Sequence, residues 1–199
     1  MKILALELST SRGSLAWLDG ETEFKHEWPN DRKNSAAFFE NLQTVRRKFG
    51  APETIVTGLG PGSYAGTRIA ISAAIGMQLS CDARLIGYPS ICAMECEAQE
   101  YCAIGDARRK SFFFAHILKN EVIEGPTLFS DLELKSKLES VDPATPVFSS
   151  ELLPQFHHPL VSFPSALILA TLAKEPRRSF CLPPLEPIYL REPHVTMPK

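Results

Sequence analysis

At Tyr101 the chain begins again. The segment YCAIGDARRKSFFFAHILKNEVIEG reads strand, polar turn, strand, turn, strand, and the start of the chain has the same layout. There, KILALELS is an apolar run, TSRG a turn, SLAWLD a second strand, Asp19-Gly20 a hairpin turn, and ETEFKHEW a third strand with Phe24, His26 and Trp28 alternating with charged residues. An acidic residue closes the first strand of each copy, Glu7 in one and Asp106 in the other. The repeat lies in layout and not in identity. It predicts two lobes, each built on its own sheet, which a chain of 199 residues is long enough to support.

Between the two copies, SAAFFENLQTVRRKF predicts a helix over 35–49 with Ala36, Phe39, Leu42, Val45 and Phe49 inward, stopped by Gly50 and Pro52. ETIVTG predicts a strand, the segment from Ser63 to about Leu79 a helix, RLIGY a strand, and SICAMECEAQE a further helix. After the second copy come a short helix (DLELKSKLES), a strand (TPVFSS), a Pro-rich crossing from Leu153 to Pro164, a helix (SALILATLAK) and a tail with Pro183, Pro184, Pro187, Pro193 and Pro198. The second half is too short to repeat every element of the first. The expectation is an α/β protein with an N-terminal lobe over 1–99 and a reduced C-terminal lobe over 100–199.

Between the strand ETIVT and the helix lies GLGPGSYAGTR, residues 58–68. A loop that leaves a strand and opens a helix offers free N–H groups and the positive end of the helix dipole to an anion. Gly60 and Gly62 would let a phosphate approach the backbone, and Ser63 could cap the helix or donate to an oxygen. No GxxxxGK[ST] string occurs, and the loop has no lysine to reach a terminal phosphate. Gly60, Gly62 and Ala65 fit the looser dinucleotide pattern, but no acidic residue ends the next strand to take a ribose hydroxyl. Along the helix, Gly66, Ile69, Ala70, Ala73, Gly76 and Met77 approximate a stripe rich in small side chains, with Ser72 beside it. Small side chains permit close helix packing. Spacing alone leaves open whether that surface packs on its own sheet or on another molecule.

Lys and Arg total 21 against 23 Asp and Glu, a net charge of −2, which gives no electrostatic footprint for direct nucleic-acid binding. Cys81, Cys92, Cys96, Cys102 and Cys181 are odd in number and form no CxxC pair, so reduced, mostly buried thiols are expected. The histidines, His26, His116, His157, His158 and His194, make no HxxxH pair for a peptidase metal. No stretch has the pattern of a signal peptide or the ~20 apolar residues of a membrane span. A soluble, cytoplasmic protein is expected.

GLGPGSYAGTRI resembles the signature of the TsaB (YeaZ-like) family, the bacterial tRNA threonylcarbamoyladenosine-modification subunits once labelled glycoproteases, whose members carry GPGS-aromatic-T-G-L-R here. AIGDARRKSFF is similar to the family's I-D-A-R-R segment and PIYLREP to its terminal P-x-Y-x-R stretch, and PSALILATLA falls where the family has a Ser-Ala-rich helix. Three motifs in order run from Met1 to about Pro193. The resemblance implies the actin-like, Hsp70-like ATPase (ribonuclease H-like) fold. It also implies a non-catalytic partner of TsaD, the subunit that transfers threonylcarbamoyl to an adenosine beside the anticodon, with the ATPase TsaE completing the complex. Association through helices 35–49 and 64–80 is implied too, which gives the stripe an intermolecular use. A homodimer is expected in isolation, and contact with tRNA only indirectly.

Several positions depart from that pattern. Glu7-Leu8-Ser9 stands where Asp-Thr-Ser is usual, Ala65 replaces Thr, Thr67 replaces Leu, and Asn34-Ser35 stands where His-Ser is frequent. Glu7 is a methylene longer than Asp and would displace a metal or water held by the shorter carboxylate. No cofactor is therefore expected to be required, and ATP or ADP binding is in doubt. Were a nucleotide or anion bound, Glu7, Ser9, Gly60, Gly62, Ser63, Asp106, Arg108 and Arg109 would surround it. Lys110 extends that basic turn, whose charges could equally be solvated or meet a partner's acidic surface. The alternative function is a small independent ATP-dependent kinase or transferase of the same fold.

Overall fold

The computed structural model describes residues 1–30, 35–157 and 159–191; Asn34, His158, Pro193, His194 and Pro198 lie outside them. Strand β1 (Ile3–Glu7) is buried along its whole length. Its alternating side chains feed two different cores: Ile3 and Ala5 enter one, Leu4 and Leu6 the other. That is why the run is continuously apolar in sequence. β2 (Arg12–Asp19) and β3 (Thr22–Pro29) follow antiparallel, and β4 (Thr54–Gly58) and β5 (Arg84–Tyr88) lie parallel on the other side. The sheet order is β3-β2-β1-β4-β5.

The second sheet repeats this plan. β6 (Glu100–Asp106), β7 (Ser111–Leu118) and β8 (Glu121–Ser130) are antiparallel neighbours, while β9 (Val147–Ser149) and β10 (Leu160–Val161) run parallel to β6, giving β8-β7-β6-β9-β10. The duplicated layout read at Tyr101 is therefore a duplicated α/β topology. Each copy places a helix between its third and fourth strands, α1 (Ala36–Phe49) and α3 (Asp131–Glu139). Among the described residues, only the first copy has a helix between its fourth and fifth strands, α2 (Tyr64–Cys81). Its counterpart is the element that the shortened lobe lacks.

The layers run α1 and α2, first sheet, central core, second sheet, α3. The central core joins both sheets: Val56 and Ile86 from the first meet Tyr101, Phe113 and Phe148 from the second. Helix α4 (Ala166–Leu172) sits in it and packs on β1, β2, β3 and β4. A boundary at 99/100 thus follows the sheets but not the core, because the C-terminal half sends α4 back to the first sheet. Among the described residues no helix is long and apolar enough to cross a membrane.

Local chemistry accounts for the helix ends. Ser130 and Glu133 form a capping box at α3, with Ser130 N–H on Glu133 Oε2 at 2.7 Å, a device that stabilises a helix by about 1 kcal/mol. Arg46, Arg47 and Lys48 close α1 at the negative end of its dipole. Three expectations are corrected. In α1 it is Phe38 that enters the core while Phe39 stays half exposed, since the buried face runs Phe38, Leu42, Val45. SICAMECEAQE makes only a 3-10 turn, Ser90–Ala93. Its continuation is claimed by tertiary contacts: Met94 bridges to Pro164, and Glu95 N–H donates to Phe163 O. The Pro-rich crossing contains β10, too short to carry a periodic signal. All five cysteines are free thiols, with Cys92 and Cys102 buried, Cys81 and Cys96 half-buried and Cys181 exposed.

Candidate functional site

The C-terminal ends of β1, β4, β6 and β9 converge on a cleft of about 570 Å³ between the two sheets. Its floor and walls come from Ser9–Ser11, the glycine loop with the first turn of α2, Asp106–Arg108, Ser150-Glu151, and the tail Pro187–Arg191. This is where a doubly repeated α/β fold opens a crevice, since the connections after parallel strands diverge there. Of the expected anion set, Ser9, Gly62, Ser63, Asp106 and Arg108 line it. Glu7, Gly60 and Arg109 do not.

Glu7 lies fully buried beneath the cleft. Its Oε1 accepts the Ser9 N–H at 2.6 Å. Its Oε2 has no hydrogen-bond partner and faces Gly58, where a Cβ would come within 1.8 Å of it and 2.5 Å of Ser90 Oγ. Burial pushes its carboxyl above the ordinary range, opposed by Ser9 and Ser90. The Glu7 carboxylate does not line the crevice, so it does not join Asp106 there.

Several donors of the glycine loop are used within the chain. Gly60 N–H donates to Ser90 Oγ at 2.9 Å, Ser63 N–H to Ser9 O at 2.5 Å, and Gly66 N–H to the capping Ser63 Oγ at 3.2 Å. Gly62 is needed because its backbone meets the Ser9 backbone: a Cβ there would lie 2.1 Å from Ser9 O. Gly62, Ser63, Tyr64 and Ala65, at the N-terminus of α2, line the cleft.

Across the cleft, Asp106 and Arg108 are absorbed by one another. Asp106 Oδ1 accepts the Arg108 N–H at 2.6 Å and Oδ2 pairs with Arg108 Nη1 at 3.0 Å. Asp106 N–H in turn donates to Glu151 Oε1 at 2.8 Å. Arg108, Arg109 and Lys110 all adopt left-handed backbone, φ 67°, 54° and 59°, at about 1–2 kcal/mol each. That turn leaves Arg109 exposed and outside the crevice. Glu151 and Tyr189 are cleft residues not singled out from sequence. The signal that could have found Glu151 is the repeat, since it follows the fourth strand of the second copy as the glycine loop follows that of the first. Among the described residues no three or more His, Cys, Asp or Glu side chains are grouped to hold a metal.

The helix stripe divides. Gly66 and Ala70 face the chain's own interior, Gly66 so closely that a Cβ would lie 2.1 Å from Leu8 O. Both are corrected from a partner surface to a private one. Ile69, Ala73 and Met77 are half-buried against the outer core of the first sheet, and Gly76 is open. The outward face is Arg68, Ser72, Ile75, Gly76 and Leu79, with Leu79 83% exposed. At its N-terminal end the Tyr64 ring meets Tyr189 at 5.4 Å between centroids and lies under the Arg68 guanidinium.

No family model matches the chain, and no curated protein does. Solved structures do. An uncharacterised Pseudomonas aeruginosa protein described as similar to peptidase YeaZ superposes with a TM-score of 0.72 at 20% identity, over 96% of this chain and 99% of that one. YeaZ from Pseudomonas aeruginosa superposes with a TM-score of 0.70 at 18% identity, over 87% and 91%. At such identities the likeness establishes a shared fold, and it does so across nearly the full length of both chains: this protein has the two-sheet, shortened-lobe architecture of YeaZ-like structures.

Proposed function

We propose that this protein is a non-catalytic subunit of the TsaB type, which binds and activates a TsaD subunit in forming threonylcarbamoyladenosine on tRNA. TsaE would join the complex as its ATPase, tRNA would be met only indirectly, and the chain alone would pair with a second copy. The observation that carries the reading is the outer face of α2, where Ile75 and Leu79 stand exposed beside Ser72 and Gly76 on a face of a long helix that the described residues leave uncovered. Exposed apolar side chains among small residues suit a close helix seam. The motifs in order, and the likeness to YeaZ over the whole chain, support the same assignment.

The test mixes the purified chain with TsaD of the same organism and follows co-elution by size-exclusion chromatography. A complex is expected, and Ile75→Glu or Leu79→Glu should abolish it while leaving the fold intact, because each puts a charge into the seam and neither serves the core. Ala73→Glu is a poorer probe, since Ala73 already leans on the core. Absence of a complex together with ATP-dependent turnover by the chain alone would overturn the proposal in favour of an independent transferase.

A further inference from the structure

The C-terminal stretch divides into an anchored part and a lightly held part. The anchor is Arg178, whose side chain is 8% exposed and which donates to Tyr88 Oη at 2.9 Å and to the carbonyls of Lys119 and Asn120 at 3.3 Å. Glu175 pairs with it at 2.7 Å. Tyr88 belongs to β5 and Lys119-Asn120 to the turn between β7 and β8, so both sheets hold this point.

Beyond it, residues 181–191 lie on the first sheet with few attachments. Cys181 exchanges two backbone hydrogen bonds with Gly87, at 2.9 and 3.0 Å, and Ile188 N–H donates to Leu59 O at 2.8 Å. Pro183, Pro184 and Pro187 have no N–H to offer. Leu185 is the one buried side chain of this stretch, with Ile188 and Leu190 partly buried against the two cores. Tyr189 rests its ring on Tyr64. The path runs from the edge of β5 to the glycine loop, where Pro187–Arg191 form a wall of the cleft beside the first turn of α2.

A segment with little buried apolar surface and few backbone hydrogen bonds opens at lower free energy than the sheets beneath it. We propose that residues 181–191 are a strap that closes one wall of the cleft over the glycine loop and opens as a unit, hinged between Arg178 and Leu182, while both sheets stay folded. Closed, it holds Tyr189 against Tyr64 and covers Leu59. Open, it bares the glycine loop and widens the crevice. The inference does not depend on the identity of any partner.

Native-state hydrogen exchange on the full chain, at a series of urea concentrations below the unfolding transition, tests it. The Ile188 amide is expected to exchange at a rate independent of urea and at least about tenfold faster than the Ala5 and Val56 amides, which follow global unfolding. Tyr189→Ala removes an exposed ring contact and should speed Ile188 exchange about two- to tenfold, still independent of urea. An Ile188 amide that shares the rate and urea slope of Ala5 and Val56 would overturn the strap. One unmoved by Tyr189→Ala would overturn the part given to the ring pair in closing it.

Discussion

Two glycines ten residues apart on α2 should respond to the same substitution in opposite directions. At Gly66 an added Cβ would lie 2.1 Å from the Leu8 carbonyl oxygen, while ordinary contact begins at 3.4 Å, so helix and β1 loop must part by about 1.3 Å. The obstacle is backbone, and that same oxygen also accepts Asn30 Nδ2 at 3.2 Å. Overpacking of this kind costs about 3 kcal/mol. Alanine's better helix propensity returns about 1 kcal/mol, leaving Gly66→Ala less stable by about 2 kcal/mol. In a chain of this length that lowers Tm by about 4–8 °C. Gly76 has nothing within 4 Å of its added Cβ, so Gly76→Ala keeps only the propensity gain and should raise Tm by about 2–4 °C. Urea and thermal unfolding of the two variants beside the wild type measure the difference. Equal stabilisation by both would refute the close approach of α2 to β1, and with it the assignment of Gly66 to the private face.

Further predictions concern charge. Glu7 is buried and its carboxyl is pushed up, so the unfolded chain releases this proton at lower pH than the folded one, and stability falls as pH rises through and above the ordinary Glu range. Glu7→Gln keeps an acceptor for Ser9 N–H and should be the more stable protein at neutral pH, with the advantage vanishing near about pH 4; parallel urea midpoints across that range would count against the buried ionisation. Glu95 is partly desolvated, but Lys25 at 2.5 Å and Arg12 at 2.5 Å outweigh that and hold its carboxyl below the usual range. Its contribution is present above the unfolded Glu value and is lost as pH falls through the folded one. Glu95→Gln should cost about 1 kcal/mol at low ionic strength and less in high salt, and a salt-independent loss would refute the ionic account.

Much of the fold was legible in sequence, for a physical reason. Strand alternation and turn chemistry are local, and β1, β4 and β6 show their burial as apolar runs. Ser63 announced a helix start because a capping hydroxyl acts on an amide only three residues away. The cleft was legible in part. Its loops follow from strand ends, but the direction of Glu7 was not legible, because its burial beside Gly58 and Ser90 is a tertiary placement that strand position leaves open.

By itself the sequence determined two copies of one strand plan, a second copy too short to repeat every element, and a glycine loop without the lysine of a nucleotide hydrolase. Tertiary structure decided the rest. It sent α4 back to the first sheet, turned Gly66 and Ala70 of the small-residue stripe inward, and laid the tail against the glycine loop. Each of these depends on which surfaces meet across long separations in the chain, and a helical period of 3.6 residues specifies a face without naming what will cover it.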